Sequence, residues 1–387
     1  MKAHALLRNG ALACALAVAC GVTSAAGPVD PLAADAQALI TTAPGISVAT
    51  LIGGLNNPRG IRTTGQPLNF GVITVAEGGV GGSTSTAGRC RQVAPPIGPY
   101  TGSRTGGRIT NVFVRDLGGF IERRRLTLTD QLPSSMTSAG SGSLVSGVAD
   151  TASVNGVTYA LISGAGCSHG VIGRDNAIVR FEDRNPILVA NLGAWLRANP
   201  GNQLGPDVEP DGTWYDMVAY NNNLWMTEPN HGLFVRVNPA TGAISRVLDV
   251  SDYLNRHAVP TALARHKGYF YIGTLGTFPI VAGAQRVYRV LFGPPRLQVV
   301  ASGTAIVGLA FGADDAMYIL QMSGPGEPTP GTGSIVRVRP GGARTTIVSG
   351  LTFPTAMVMG PDNALYVSHI GFGPPMPGSG QILRVQL

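Results

Sequence analysis

The chain has 387 residues, 44% of them hydrophobic and only 13% charged, with 54 Gly, 28 Pro and a net charge of +7. So apolar a composition with so few charges argues against a disordered chain, and the length suffices for one large domain with its own core. Aromatic residues make up 6% and the arginines are scattered along the chain. That excludes the contiguous basic and aromatic face of a nucleic-acid-binding protein.

At the N-terminus, Lys2 and Arg8 precede an apolar run from Ala11 to Val22, and the small residues Ser24, Ala25 and Ala26 follow. Residues 1–26 are predicted to be an export signal peptide. The run is shorter than the roughly 20 apolar residues that cross a bilayer, and no later stretch qualifies, so no transmembrane segment is predicted. Cys20 ends a Leu16-Ala17-Val18-Ala19-Cys20 stretch that departs from a lipobox at Ala17, so plain cleavage is favoured over a lipid anchor. Loss of Lys2 and Arg8 lowers the net charge from +7 to +5. The mature chain is expected to be periplasmic or extracellular, and its two remaining cysteines, Cys90 and Cys167, to form a disulfide there.

Residues 27–45 show no periodicity and are read as an entry arm. From Ile46 to Ile52 apolar and small polar residues alternate, as in a strand. A six-fold repeat then begins. Its second strands are centred on Val72–Val75, Tyr159–Ile162, Leu224–Met226, Phe270–Ile272, Met317–Ile319 and Leu365–Val367. Each is answered by a strand such as Phe234-Val235-Arg236-Val237 or Ile335-Val336-Arg337-Val338. Trp225, Tyr271, Tyr318 and Tyr366 recur at intervals of 46, 47 and 48 residues. A period of this length built only of short strands predicts an all-β, six-bladed β-propeller over residues 46–387. The last repeat ends after its third strand, so the strand at Ile46–Ile52 is predicted to complete that blade and close the ring.

Insertions depart from the repeat in the first two blades. Gly78–Gly107 is a Gly/Ser/Thr/Pro-rich loop expected to lie over one face, and Leu192–Ala198 reads as a short helix before Asn199-Pro200-Gly201. Cys90 and Cys167 sit in equivalent loops of neighbouring blades, which suits their pairing. Glu122-Arg123-Arg124-Arg125 is the only dense charge run and reads as an outer strand whose arginines alternate between faces.

Superposing the repeats places a polar residue after each second-strand core: Glu77, Ser163, Glu228, Thr274, Gln321 and His369. These are expected around the mouth of the central channel, where they would bind a polar ligand. A second column, on the innermost strands, reads Gly60, Gly147, Asp216, Ala262, Gly308 and Ala356. Small residues suit six strands converging on an axis. Asp216 breaks that rule and is singled out, because a buried carboxylate requires a partner or a cation. Glu77, Asp216, Glu228 and Asn230 together offer the oxygen ligation that calcium prefers, against which stands simple pairing of these acids with the plentiful arginines. Asp207, Glu209 and Asp211 lack the spacing of an EF-hand and read as a solvated loop. His369 and His231 are candidate general bases only if a carboxylate orients them. His169 lies beside Cys167, but a disulfide would remove that nucleophile. Hydrolase elbows, phosphate loops, dinucleotide fingerprints and zinc spacings do not occur.

The chain resembles NHL-type six-bladed propellers and, more closely, the ScyD/ScyE family of secreted bacterial proteins. The residues that carry this are Gly54-Leu55-Asn56-Asn57-Pro58-Arg59-Gly60, Val75-Ala76-Glu77-Gly78-Gly79, the Gly276–Val290 block with its Phe278-Pro279 and Val287-Tyr288-Arg289-Val290, and the closing Gly360–Ser368 turn and strand. It departs from the family at Gly212-Thr213-Trp214-Tyr215-Asp216 and at Gly164–His169. The resemblance implies the fold and secretion, but the family has no common reaction from which a catalytic residue would follow. The residues therefore favour a scaffold that binds a small molecule or protein at the channel mouth, bounded by Glu77, Asp216, Glu228, Asn230, Gln321 and His369. The competing reading is a calcium-assisted lactonase- or lyase-like enzyme using the same acids. A third is a structural propeller that recognises a protein through an outer edge.

Overall fold

The computed structural model describes residues 31–66, 69–117 and 121–387, so the expected signal peptide at residues 1–26, Cys20 included, lies outside the described residues. Six antiparallel sheets follow one another along the chain as a six-bladed β-propeller. Blade 1 comprises Pro58–Gln66, Asn69–Glu77, Thr101–Asp116 and Ile121–Met136, with Val145–Ser146 at its edge; blade 2 comprises Val148–Val154, Val157–Ile162, Ala177–Glu182 and Asn185–Asn191. Blades 3 and 4 begin with inner strands Met217–Tyr220 and Pro260–His266, and blades 5 and 6 with Ile306–Phe311 and Ala356–Met359. The outermost strand of blade 6 is Ser47–Leu55, which pairs with Gly380–Gln386 in the register Ser47↔Gln386 and Val48↔Val385. The N-terminal strand thus closes the ring.

The burial pattern explains the sequence pattern. Inner and second strands are covered on both faces by neighbouring blades, so Tyr159–Ile162 and Met317–Leu320 are apolar without alternation. Outer strands are covered less, and Arg296–Gly303 is mostly exposed. The core is divided accordingly. Six apolar clusters each fill one wedge between adjacent blades, for example Leu161 and Trp214 between blades 2 and 3, and Phe234 and Phe270 between blades 3 and 4. The axis itself is left open as a channel.

Two devices secure the closure. In the entry arm a helix at Pro31–Ala38 leads to Thr41–Thr42, which adds an edge strand to blade 5 opposite Ser349 and Val348. Gln37 accepts a hydrogen bond from the Thr50 hydroxyl of the closing strand at 2.9 Å. From the other side, Arg123 Nε donates to the Leu51 carbonyl at 2.6 Å and Arg125 donates to the Gly53 and Gly54 carbonyls. The closing strand is irregular there, with register shifts between Thr50 and Leu55, and the blade 1 hairpin satisfies carbonyls that the ladder leaves free.

The blade 1 insertion is bound to blade 2 by the Cys90–Cys167 disulfide, which joins residues 77 apart in sequence with their Cα atoms at 6.3 Å. Leu192–Ala198 forms the expected helix, capped by the Asn191 side chain. Among the described residues no helix is long and apolar enough to cross a membrane.

Candidate functional site

The polar residues that end the second strands have a structural task. Glu77 is fully buried and accepts from the Asn56 amide at 2.7 Å, from Arg108 Nε at 2.9 Å and from the Thr110 hydroxyl. Glu228, also fully buried, accepts from the Thr213 and His231 amides at 2.8 and 2.6 Å. Gln321 accepts from the Thr304 amide at 2.7 Å and donates to Ser334. His369 Nε2 accepts from the Thr352 amide at 2.8 Å, while Nδ1 lies 3.2 Å from Gln381 Oε1. Asn56, Thr213, Thr304 and Thr352 all lie in the segment entering the inner strand of the same blade. One side chain per blade, in four blades, thus pins that entry to the end of the second strand. Burial pushes Glu228 up from the ordinary carboxylate range and lowers His369 to about 4, so His369 is neutral at pH 7. These four side chains turn into their blades and do not line the channel; Ser163, in the same column, does line it. The expected ring around the mouth is therefore not assembled from this column.

Asp216 and Asn230 do face the channel, which forms a cavity of about 880 Å³ bounded by the inner strands of all six blades. The strand registers identify a further residue there. Ile61, Asp150, Met217, Leu263, Leu309 and Met357 hold one equivalent position, opposite Val75, Leu161, Met226, Ile272, Ile319 and Val367. Five are large and apolar and one is an acid. The preceding column is Gly60, Ala149, Asp216, Ala262, Gly308 and Ala356, with Ala149 where counting along the chain had put Gly147. The pairing Leu161↔Asp150 fixes this placement, two residues beyond Gly147.

Asp150 and Asp216 lie on adjacent inner strands and clamp them. Asp150 accepts from the Thr151 amide at 2.7 Å and, across the blade boundary, from the Met217 amide at 2.9 Å. Asp216 accepts from the Leu263 amide of blade 4 at 2.7 Å. Gly60 leaves the room Asp150 needs, since a Cβ there would stand 1.9 Å from its Oδ1. Burial, then the charge of Asp216, holds Asp150 well above the usual carboxylate range; burial raises Asp216 to about 6 against the pull of its hydrogen bonds. Asp150 is buried and Asp216 half-buried, and both border the cavity.

Around them the walls differ. Blade 1 contributes Arg59 and Arg62, whereas blades 4 to 6 contribute Leu263, Leu309 and Met357. Tyr215 reaches across from blade 3 to the opposite blade 6, where its hydroxyl donates to the Thr355 carbonyl at 2.9 Å. At one mouth the blade 1 insertion brings Pro95, Pro96, Ile97 and Tyr100 over the cavity. The Tyr100 hydroxyl donates to Glu209 at 2.8 Å, and its ring meets that of His169 edge-on at 4.8 Å.

The segment with Asp207, Glu209 and Asp211, read from sequence as a solvated loop, is largely buried. Glu209 is 7% and Asp211 2% exposed. Glu209 joins His169, Thr213 and Tyr100, and Asp211 joins Ser168 and Arg197. Burial alone would raise Glu209, but His169 with the Thr213 and Tyr100 hydroxyls outweighs it and leaves the carboxyl below its usual range. Asn230 holds the same loop, accepting from the Glu209 amide at 2.8 Å and donating to the Asp207 carbonyl at 3.0 Å.

The calcium set does not converge: Glu77 and Glu228 are committed inside separate blades. Among the described residues no three His, Cys, Asp or Glu side chains come together as a metal site.

No family model matches the chain, and no curated protein matches it. Solved structures do. The chain is similar to a Thermus thermophilus protein assigned as an oxidoreductase (glucose dehydrogenase), at 17% identity over 88% of this chain and the whole of that one, with a TM-score of 0.50. It is also similar to the PQQ-bound aldose sugar dehydrogenase of Streptomyces coelicolor, at 14% identity over 89% of this chain and 99% of the other, TM-score 0.49. A gluconolactonase of Xanthomonas campestris aligns at 11% identity over 94% and 99%, TM-score 0.42. At these identities the likeness concerns the fold alone. The chain is a six-bladed β-propeller.

Proposed function

We propose that the protein is an exported propeller that binds a small organic molecule inside its central channel. The observation that carries this reading is the cavity of about 880 Å³ between the six inner strands, within the size range of ligand pockets and bearing two acids where five blades have apolar or small residues. Blades 1 to 3 supply Arg59, Arg62, Asp150 and Asp216, and blades 4 to 6 supply apolar surface at Leu263, Leu309 and Met357 beside Arg265 and His266. The leader-like N-terminus and the Cys90–Cys167 disulfide support action outside the cytoplasm.

The reading is tested with N-phenyl-1-naphthylamine, a neutral apolar fluorophore. Saturable one-to-one binding is expected. Ala356→Phe, which places a ring in the channel, is expected to abolish it while leaving the melting temperature within a few degrees. Equal binding by the variant would move the site elsewhere, and no saturable binding to the native protein would end the proposal.

A lactonase- or lyase-like enzyme is the second reading. What favours it is the Asp150–Asp216 pair, in which one carboxyl can donate a proton while the other accepts one. It needs no calcium in this form.

A further inference from the structure

We propose that Arg59 is the anion-recognition residue of the channel, and that the molecule bound there is an organic monocarboxylate with an apolar body. This rests on the reading of the channel as a ligand site and names the class of its ligand.

Arg59 sits near the start of the blade 1 inner strand and lines the cavity. Its guanidinium donates one hydrogen bond, from Nη2 to the Val145 carbonyl, and stands 6.0 Å from the centroid of the Phe372 ring. No described carboxylate lies within ion-pair distance of it. Several other guanidiniums in the chain have carboxylate partners. Arg108 meets Glu77, Arg197 meets Asp175 and Asp211, and Arg384 meets Asp362. Arg62, the other arginine of this strand in the cavity, has the Ser153 and Thr158 hydroxyls and the nearby charge of Asp150. A desolvated guanidinium is costly without a counter-charge, and its planar fork of five donors matches a carboxylate. Arg59 borders a cavity large enough to hold the partner.

The surroundings limit the anion to a single charge. Asp150, Asp216, Asp207 and Glu209 border the same cavity beside Arg59, Arg62 and Arg265, so the acids outnumber the guanidiniums and a second negative charge on the ligand is disfavoured. A carboxylate carries one charge, and its two oxygens fit two parallel N–H donors. Beyond Arg59 the wall turns apolar at Phe372, Met357, Leu309 and Leu263. A flat or branched hydrocarbon attached to the carboxylate would be buried there, at about 25 cal/mol per Å².

The test is calorimetric titration of the whole mature chain with 2-naphthoate and its neutral isostere 2-naphthamide, and with benzoate and benzamide as a smaller pair. The native protein is expected to bind each carboxylate at least tenfold more tightly than its amide. Arg59→Gln should remove that preference while changing amide affinity less than threefold. Arg59→Lys, which keeps the charge without the fork, should retain part of it. Native protein that binds amide and carboxylate equally, or an Arg59→Gln variant that keeps the preference, would overturn the assignment of Arg59 and leave the channel-binding reading intact. If no member of either pair binds, the monocarboxylate assignment falls, and the fluorophore titration decides the channel reading separately. Near-UV circular dichroism of the variants separates lost recognition from lost fold, and Arg59→Lys carries the test if Arg59→Gln does not fold.

Discussion

Two sets of buried or half-buried polar side chains lie within one strand of each other in this ring, and they are treated in opposite ways. Glu77, Glu228, Gln321 and His369, at the ends of the second strands, are met on their accepting atoms by backbone amides of their own blade. Arg59, Asp150 and Asp216, on the inner strands, keep part of their hydrogen-bonding capacity turned to an open cavity. Polarity in a buried place therefore has two meanings. Where the chain itself completes the shell, the group fastens the fold; where it does not, the group is left for something else to complete.

The largest expected effect breaks the first set. Glu77→Ala removes a fully buried carboxylate, leaving Arg108, the Thr110 hydroxyl and the Asn56 amide without their acceptor. A loss of about 3 kcal/mol or more is expected from urea unfolding. If the variant were as stable as the native chain, the claim that this column fastens the blades would fail.

That division was only partly legible in the sequence. The ring, its closure by the N-terminal strand and the Cys90–Cys167 bridge follow from a strand period and a cysteine count, both of which are local or arithmetical. Asp216 was legible because it violates a column of small residues. Asp150 was not, because superposing the repeats on Gly147 sets blade 2 two residues out and leaves the acid outside the compared columns. The direction of the second-strand polar groups was not legible either. Glu77 reads the same whether it faces the channel or the entry segment at Asn56, and only the packed blades decide. Glu209 and Asp211 look solvated in sequence because their partners Tyr100 and Ser168 come from other loops, 109 and 43 residues away.

A pH titration sharpens the comparison, since one member of each set has a displaced pKa of opposite sense. Asp216 is raised to about 6, above its unfolded value of 3.8. Between these values the native chain holds a proton that the unfolded chain has released, so this term lowers stability as pH rises through the window and stays unfavourable above it. His369 is lowered to about 4 from 6.5. The unfolded chain takes up a proton there that the native chain refuses, so this term raises stability across much the same window. Each is worth at most roughly 3 kcal/mol, and in the native protein they oppose each other. Relative to native, Asp216→Asn should gain stability from pH 4.5 to 7, and His369→Gln should lose it. Parallel stability curves for the three proteins would show that neither group titrates in this window.

The smallest effect comes from a group that makes two hydrogen bonds where Glu77 accepts four, and makes them in water. Arg125 donates to the Gly53 and Gly54 carbonyls of the closing strand, and it is exposed. Water replaces those bonds when the side chain is removed, so Arg125→Ala is expected to cost about 0.5 kcal/mol in global stability. The local consequence should be easier to detect. Ser47–Leu55 is irregular where the arginine docks, and faster hydrogen exchange is expected in that strand, with the inner strands unchanged. A global loss comparable to that of Glu77→Ala would mean that removal from solvent does not decide what such hydrogen bonds contribute to this ring.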